Sequence, residues 1–540
     1  MRISFFRSCL LVFSLVWVAA AQIGTSTITG RVSDPSGAVV PGASVTVSNI
    51  DTDFRFAATT NEQGLFRVPS LQPGRYRLSF EAAGFKRLVR DGVVVGAEDT
   101  LAVNATLEVG SVAESIEIKS SAPLLQTETS STGTLVEGNF AYKMPFFQRT
   151  INWTMHLVPG MTAGGYAYPK TLGAYHIAGQ RSGAIGIFED GVVANDQMSG
   201  TNSINSILNS VAEVKVLTTT LPAEYGHSAG GVVSIVKKTG TNELHGLASW
   251  YGRGRRMQHR NFFEVNRNSQ PTPDNPKGQQ IFYMLPDANV GGPVLVPKIY
   301  NGRNRTFFYF GYQKMIEKQT KQYQGTVPDA AMKAGDFSFG GIGNPIFDPV
   351  TTRQAADRTW VRDPFPGNRI PVSRLDPVAR KVLGIDPWHP PNRTGSYNAS
   401  GPVSNLLYGE RALSFREDYN GRMDHQFGPS FKIYGSYTYN EANGLGRPTN
   451  IRIWDFDGNH GDKSPYTQQN YSLGKTWVIN PSTINDARIG YFRRRDDRYV
   501  FSYGKNYAAL LGIPSVSAEL LPSFGSGGDF SPDSIYGLTT

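Results

Sequence analysis

Polar and apolar residues alternate over the stretch 417–440. Tyr419, Gly421 and Met423 fall on one side of an extended chain, and Asp418, Asn420, Arg422 and Asp424 on the other. Phe427-Gly428-Pro429-Ser430 reads as a turn. Phe431, Ile433, Gly435, Tyr437 and Tyr439 then share one face, while Lys432, Ser436, Thr438 and Asn440 share the other with Tyr434. The pattern recurs downstream. Tyr471, Leu473, Trp477 and Ile479 alternate with Ser472, Gly474, Thr476 and Asn480; Lys475 is the exception, tolerable where a long side chain snorkels. After the turn Asn480-Pro481-Ser482, Ala487, Ile489 and Tyr491 alternate with Asp486, Arg488 and Gly490. Leu244 to Tyr251 and Thr306 to Tyr312 are aromatic strands of similar length. One such hairpin fits a soluble protein, but its repetition predicts the wall of an antiparallel transmembrane β-barrel.

Connection lengths support this. Long polar stretches follow Tyr251, Tyr312 and Asn440, and the links near 291–304, 427–430 and 480–483 are short. Short turns on one side and long loops on the other are the barrel pattern, which puts Gly428-Pro429 and Asn480-Pro481 on the periplasmic side and Arg493-Arg494-Arg495 at the outer rim. About seven strands are legible, an odd number that leaves open edges costly in lipid, so the barrel is expected to be incomplete and the chain truncated or partial.

The first third is different. From residue 25 to about 108, short alternating segments follow turn signals roughly every 10 residues. They are Ile28-Gly30-Val32, Val45 and Val47, Phe66 and Val68, and Tyr76-Leu78-Phe80, with turns at Asp34 to Gly37, Asn61 to Gly64 and Pro73-Gly74. This predicts an antiparallel β-sandwich. From 109 to about 240, short β segments are punctuated by glycine, and Gly226, Gly230 and Gly231 suit positive φ or close backbone approach.

Two resemblances attach to these residues. Gly30-Arg31-Val32, Pro41-Gly42-Ala43, Asn61 to Phe66, Leu71 to Tyr76 and Ala83-Gly84-Phe85 resemble the carboxypeptidase regulatory-like family, an Ig-like or transthyretin-like sandwich. That name implies no peptidase, and the domain holds no histidine for a zinc triad. A related superfamily contains starch-binding modules, so the resemblance implies either a sugar-binding module or a spacer. Further on, Leu157-Val158-Pro159-Gly160, Gly179-Gln180-Arg181, Asp190-Gly191, Ala223-Glu224-Tyr225-Gly226, Gly230-Gly231 and Lys238-Thr239-Gly240-Thr241-Asn242 resemble, in order, the plug of TonB-dependent outer-membrane receptors, the Oar-like branch in particular. The plug motif residues are thus Arg181, Asp190, Gly191, Glu224, Tyr225, Gly226, Gly230 and Gly231. The resemblance implies a mixed plug domain, a full barrel of twenty-two strands, and a TonB-type energising protein that captures an extended segment before the plug. Glu114, Ile116, Glu117 and Ile118 occupy that place and suit β-augmentation; the other reading makes them the first plug strand.

Composition and charge narrow the class. Charged residues make up only 18%, while Gly 58, Tyr 25 and Phe 30 suit an all-β chain with tight turns and amphipathic rings. Arg2 and Arg7, the apolar run Leu10 to Val18 and Ala19-Ala20-Ala21 form a secretory signal too short to span a bilayer. The single cysteine, Cys9, lies in it, so the exported chain has no thiol for a disulfide, a metal or a nucleophile. The charge of +9 falls to +7 when Arg2 and Arg7 leave (9 − 2), and it is scattered, which implies no nucleic acid. The eight histidines show no zinc spacing, and no phosphate loop or nucleophile elbow occurs. Asp455, Asp457 and Asn459 loosely resemble a calcium loop, but His460 and Tyr466 stand where glycine and glutamate belong, so a solvated outer loop is expected.

The sequence thus predicts an all-β protein of four parts. These are a signal peptide at 1–21, the regulatory-like sandwich at 22–108, the plug at 109–240 and the N-terminal part of a barrel at 241–540. The expected function is non-enzymatic, with no cofactor or metal: an outer-membrane receptor that binds an unknown small ligand, peptide or carbohydrate at its outer loops and imports it. Its other expected partners are outer-membrane lipid and the energising protein, with sandwich and plug on the periplasmic side. The rival reading is a surface-anchored structural or adhesive protein that binds polysaccharide.

Overall fold

The computed structural model describes residues 26–513 apart from 112–114, 120–130, 147–148, 164–174, 182, 196–204, 223–224, 226–227, 255–256, 258–280, 326, 341–344, 387, 395, 399–400, 404, 445–465, 481–482 and 497–506. The signal segment, Glu114, Glu224, Gly226 and the Asp455 to Asn459 stretch lie outside the described residues.

The N-terminal strands are β1 (Ser26–Ser33), β2 (Ser44–Asn49), β3 (Arg55–Thr59), β4 (Leu65–Leu71), β5 (Gly74–Glu81), β6 (Arg87–Val95), β7 (Thr100–Ala102), β8 (Ala105–Thr106) and β9 (Ser115–Lys119). They form two sheets, β4-β1-β7 with β8 also on β1, and β3-β2-β5-β6-β9. Ile28, Val32, Val45, Val47, Phe66, Val68, Tyr76, Leu78 and Phe80 meet in the core between them, as their alternation predicts. The pairing is not antiparallel throughout: β7 and β8 run parallel to β1. The chain crosses from β6 in one sheet to β7 in the other through the turn at 96–99, and so arrives beside β1 in the same direction.

The next unit contains β10 (Thr132–Glu137), β11 (Met161–Ala163), β12 (Tyr175–Ile177), β13 (Gly186–Glu189), β14 (Val192–Val193), β15 (Val211–Thr219) and β16 (Val232–Lys237). Its main sheet has the order β10-β15-β16-β13-β14, with β13 and β16 parallel and the other pairs antiparallel. β13 is buried along its whole length, as expected of a strand covered on both faces. Short helices at Gly138–Lys143 and Ile151–Thr154 close a core of Val136, Ile151, Met155, Ile177, Ile187, Val214, Val216 and Ile235.

The last unit is one antiparallel sheet of seven strands. It starts with β17 (His245–Arg253) and β18 (Ile281–Pro293), followed by a small hairpin of β19 (Leu295–Val296) and β20 (Tyr300–Asn301), and then β21 (Thr306–Gly325). The connection from β21 carries β22 (Arg353–Gln354), β23 (Trp360–Val361), β24 (Ser396–Asn398) and β25 (Gly401–Val403). The wall resumes with β26 (Leu406–Gly428), β27 (Phe431–Gly444), β28 (Tyr466–Asn480) and β29 (Thr483–Asp496). Consecutive wall strands are neighbours, with β17 and β29 as the edges, so the sheet does not close. No helix among the described residues is long and apolar enough to cross a membrane.

Burial on this wall is inverted relative to a soluble sheet. Asp418, Asn420, Arg422 and Asp424 are buried, whereas Met423, Leu473, Ile489 and Tyr491 are more than half exposed. The apolar face looks outward, as it does in lipid, and the polar face is covered by the plug.

Candidate functional site: the charged seam between plug and barrel wall

The seam begins with a hairpin. Glu189 pairs with Val192 across β13 and β14, leaving Asp190 and Gly191 as a two-residue turn. Both have left-handed backbone, φ 49° and 77°, the Asp-Gly signature of a type I′ turn. A Cβ at residue 191 would run into the Arg488 guanidinium, so glycine is required by space as well as by φ.

The hairpin tip lands on the wall. Arg422 of β26 bonds Asp190 at 2.9 Å and Asp424 at 2.9 Å, and its guanidinium lies 4.5 Å from the centre of the Tyr434 ring. The Tyr434 hydroxyl donates to the Asp190 carbonyl at 2.8 Å. Lys237, the last residue of β16, lies 3.0 Å from Glu189 and 3.6 Å from Asp190. It also donates to the Thr438 hydroxyl at 2.6 Å. Asn470 donates to Glu189 at 3.2 Å, and Lys432 lies 3.5 Å from Asp424. The three cations Lys237, Arg422 and Lys432 thus face the three carboxylates Glu189, Asp190 and Asp424.

All six are buried, so deleting one of them while the plug stays docked leaves a buried charge without its full compensation. Burial alone raises the Asp190 carboxyl; attraction to Arg422 and Lys237 outweighs it and holds the group below its ordinary range. A second anchor lies on β17 and β18. Asp287 accepts from Ser249 at 2.5 Å, from Asn209 of the plug at 2.8 Å and from Tyr142 of the plug at 3.2 Å. The seam therefore offers ionic and hydrogen-bonded closure of the wall's inner face. Among the described residues, no three metal-ligating side chains come together.

The sequence motifs are distributed unevenly around this seam. Asp190 and Gly191 are at its centre. Tyr225 is buried in the plug, its ring 5.1 Å from that of Phe188. Gly231 has φ 108°, and Gly230 lies so close to the Ala184 carbonyl that a Cβ would sit 3.1 Å from its oxygen. Arg181 is exposed in the connection between β12 and β13. The segment Ser115–Lys119 is neither in the plug sheet nor separate: β9 pairs parallel with β6 as an edge of the sandwich, with Ile116 against Leu88 and Ile118 against Arg90. Ile116 packs on the sandwich core, while Glu117 and Ile118 are exposed. The plug sheet itself starts at Thr132.

Sequence reasoning missed Glu189, Lys237, Arg422, Asp424, Lys432 and Tyr434 as site residues. One signal was available: charges spaced by two on the polar face of residues 416–424, together with a lysine closing the apolar run Val232–Lys237.

Residues 236–537, more than half of the chain, match the family described as outer membrane beta barrel domain, and residues 27–108 match the carboxypeptidase regulatory-like domain. The chain therefore belongs to the outer-membrane β-barrel family and is placed in the outer membrane. The order of sandwich and wall agrees with these two matches. A relative is the TonB-dependent transporter Oar of Myxococcus xanthus, 29% identical over 303 residues, an alignment that covers 53% of this chain and 27% of that protein. Among solved structures, the outer membrane transporter YddB from Escherichia coli aligns with TM-score 0.41 and 9% identity over 67% of this chain and 39% of its own. The siderophore receptor PirA from Acinetobacter baumannii aligns with TM-score 0.39 and 13% identity over 76% and 43%. The chain thus spans less than half of each relative's length.

Proposed function

We propose that this chain acts in TonB-dependent uptake. The observation that carries the reading is the buried pairing of Asp190 with Arg422, which ties the plug to the inner face of the wall. A substrate binds at the long connections 254–280, 326–405 and 445–465, which lie on the extracellular side. An energising protein of the TonB type captures the segment at Glu114, Ile116, Glu117 and Ile118 from the periplasm, and pulling there loosens the plug. The parts are the leader at 1–21, the sandwich at 22–108, the plug at 109–240 and the wall at 241–540, with β9 lent by the plug segment to the sandwich sheet. The ligand is a small molecule, peptide or carbohydrate. No covalent chemistry takes place on the chain.

The test is site-specific crosslinking in cells. Ile116→Cys is paired with a cysteine in the energising protein, in membranes with and without a proton gradient. A crosslink dependent on the gradient supports uptake. A segment that never crosslinks, in cells whose plug stays inaccessible throughout, replaces this reading with that of an anchored adhesive protein.

A further inference from the structure

The sandwich does not hang free below the barrel; its turn at 96–99 is inserted against the plug. Asp99 accepts from the Lys215 ammonium at 2.9 Å, with both side chains nearly buried. The backbone N–H of Ala97 donates to Glu213 at 2.6 Å. Glu213 and Lys215 both belong to β15, which pairs β10 on one side and β16 on the other. Between these two contacts, Glu98 comes up beside Tyr225 and Ser234 of the plug. One four-residue turn thus touches the plug at both charged residues of β15 and at the neighbouring β16.

The sandwich is also fixed to the rim of the wall. Phe54 packs edge-on against Phe307 of β21 at 5.1 Å, and Lys432 of β27 lies 5.3 Å from the Phe54 ring centre. Gln426 of β26 donates to the Arg55 carbonyl at 2.6 Å, and Ser70 bonds Asp486 of β29. A body anchored to the rim and inserted into the plug holds the two together. The turn is continuous with β6, the strand that carries β9, so tension applied to β9 acts on the strand that ends in this turn.

We propose that the sandwich is a latch on the plug: its turn at 96–99 grips β15, and the plug sheet loosens only after that turn withdraws. The latch rests on this interface alone and stands whether or not β9 is the segment that the energising protein captures. It assigns the regulatory-like domain a mechanical role distinct from sugar binding or spacing. Removing either Asp99 or Lys215 breaks the nearly buried ion pair that joins the turn to β15 and so weakens the turn's hold on that strand.

The test is hydrogen exchange on the full chain in lipid nanodiscs. Asp99→Asn is expected to speed exchange at 94–101 and, together with it, at β10, β15 and β16, on the order of tenfold or more. Exchange in β2 and β5, inside the sandwich, stays at the parent level. The charge exchange D99K/K215D restores protection. Faster exchange confined to 94–101, or none anywhere, overturns the latch. Should Asp99→Asn also loosen β2 and β5, the comparison passes to D99C/K215C joined by a bifunctional thiol crosslinker. Its linked and unlinked forms differ only in the tether, and plug exchange indifferent to the tether overturns the proposal. Neither outcome depends on transport or on β9 capture.

Discussion

Arg422 on the barrel wall and Asp190 at the tip of the plug hairpin meet at 2.9 Å, and both side chains are almost wholly shielded from solvent. Such a pair is weak evidence of net stability, because burying two charges costs much of what their attraction returns, but losing one member is severe. Arg422→Met is therefore expected to weaken plug docking by about 3–5 kcal/mol. Arg422→Lys keeps the charge and loses the fork that reaches Asp190 and Asp424 together, so it falls between Arg422→Met and the parent. Urea titration in nanodiscs, read by hydrogen exchange at 186–195, gives the order; equal midpoints for all three proteins would refute it.

Gly191 offers a backbone test of the same contact. Gly191→Ala puts a side chain at φ 77° and against Arg488. Strain at such a position is expected to cost about 1–3 kcal/mol. The expected readout is faster exchange in β13 and β14 with β2 and β5 unaffected. Unchanged exchange would mean that Arg488 moves aside freely.

The sandwich–plug contact carries a pH dependence. The ordinary value of the Glu213 carboxyl is 4.5, and here it is pushed up to about 7. Burial is the main cause, and the nearby carboxylates Asp99 and Glu137 add to it, while the Ala97 N–H and Lys215 oppose it. A raised acid binds its proton more tightly when docked. Its contribution is therefore fully present below pH 4.5 and is lost as pH rises through about 7. Exchange at 94–101, corrected for intrinsic rate, should quicken between pH 5.5 and pH 8, and Glu213→Gln should flatten the profile. A parent profile already flat over that interval would remove Glu213 from the contact's energetics.

The outward face makes a separate prediction. Leu473 is 60% exposed on β28, and its neighbour Ser472 is buried on the opposite face. Leu473→Arg is expected to destabilise the wall by about 2–4 kcal/mol in lipid. Ser472→Ala should change it by less than about 1 kcal/mol. Heat-dependent gel mobility of the membrane-extracted protein distinguishes the two, and equal mobility curves would argue against lipid contact at Leu473.

Period-two alternation made the wall and the sandwich readable. Met423 and Arg422 were assigned to opposite faces from sequence, and the structure puts one outward and the other inward. Strand ends were less legible. The sequence marks Thr306 to Tyr312, yet β21 runs to Gly325; it marks 417–426, yet β26 begins at Leu406. Beyond the hydrocarbon both faces meet polar surroundings, so the hydropathy signal stops while the hydrogen-bonded ladder continues. The seam was hidden for another reason. Lys237 bonds Thr438 and Glu189 meets Asn470, and alternation shows that a residue points inward without showing what lies opposite. The parallel placement of β9 on β6 had no sequence signal either, because Ile116 and Ile118 suit any sheet edge.

The paired length of β21 and β26 sets a height. Their ladder runs unbroken from Thr306 opposite His425 to Gly325 opposite Leu406. At about 3.3 Å per residue, twenty pairs extend roughly 65 Å, or about 45 Å along the bilayer normal at a tilt near 45°. The hydrocarbon accounts for about 30 Å of that. The hairpin is therefore longer than the acyl-chain layer is thick by roughly 15 Å in all. The connection between β21 and β26 leaves from the hairpin's Gly325–Leu406 end, and Trp360 and Phe347 are exposed on it.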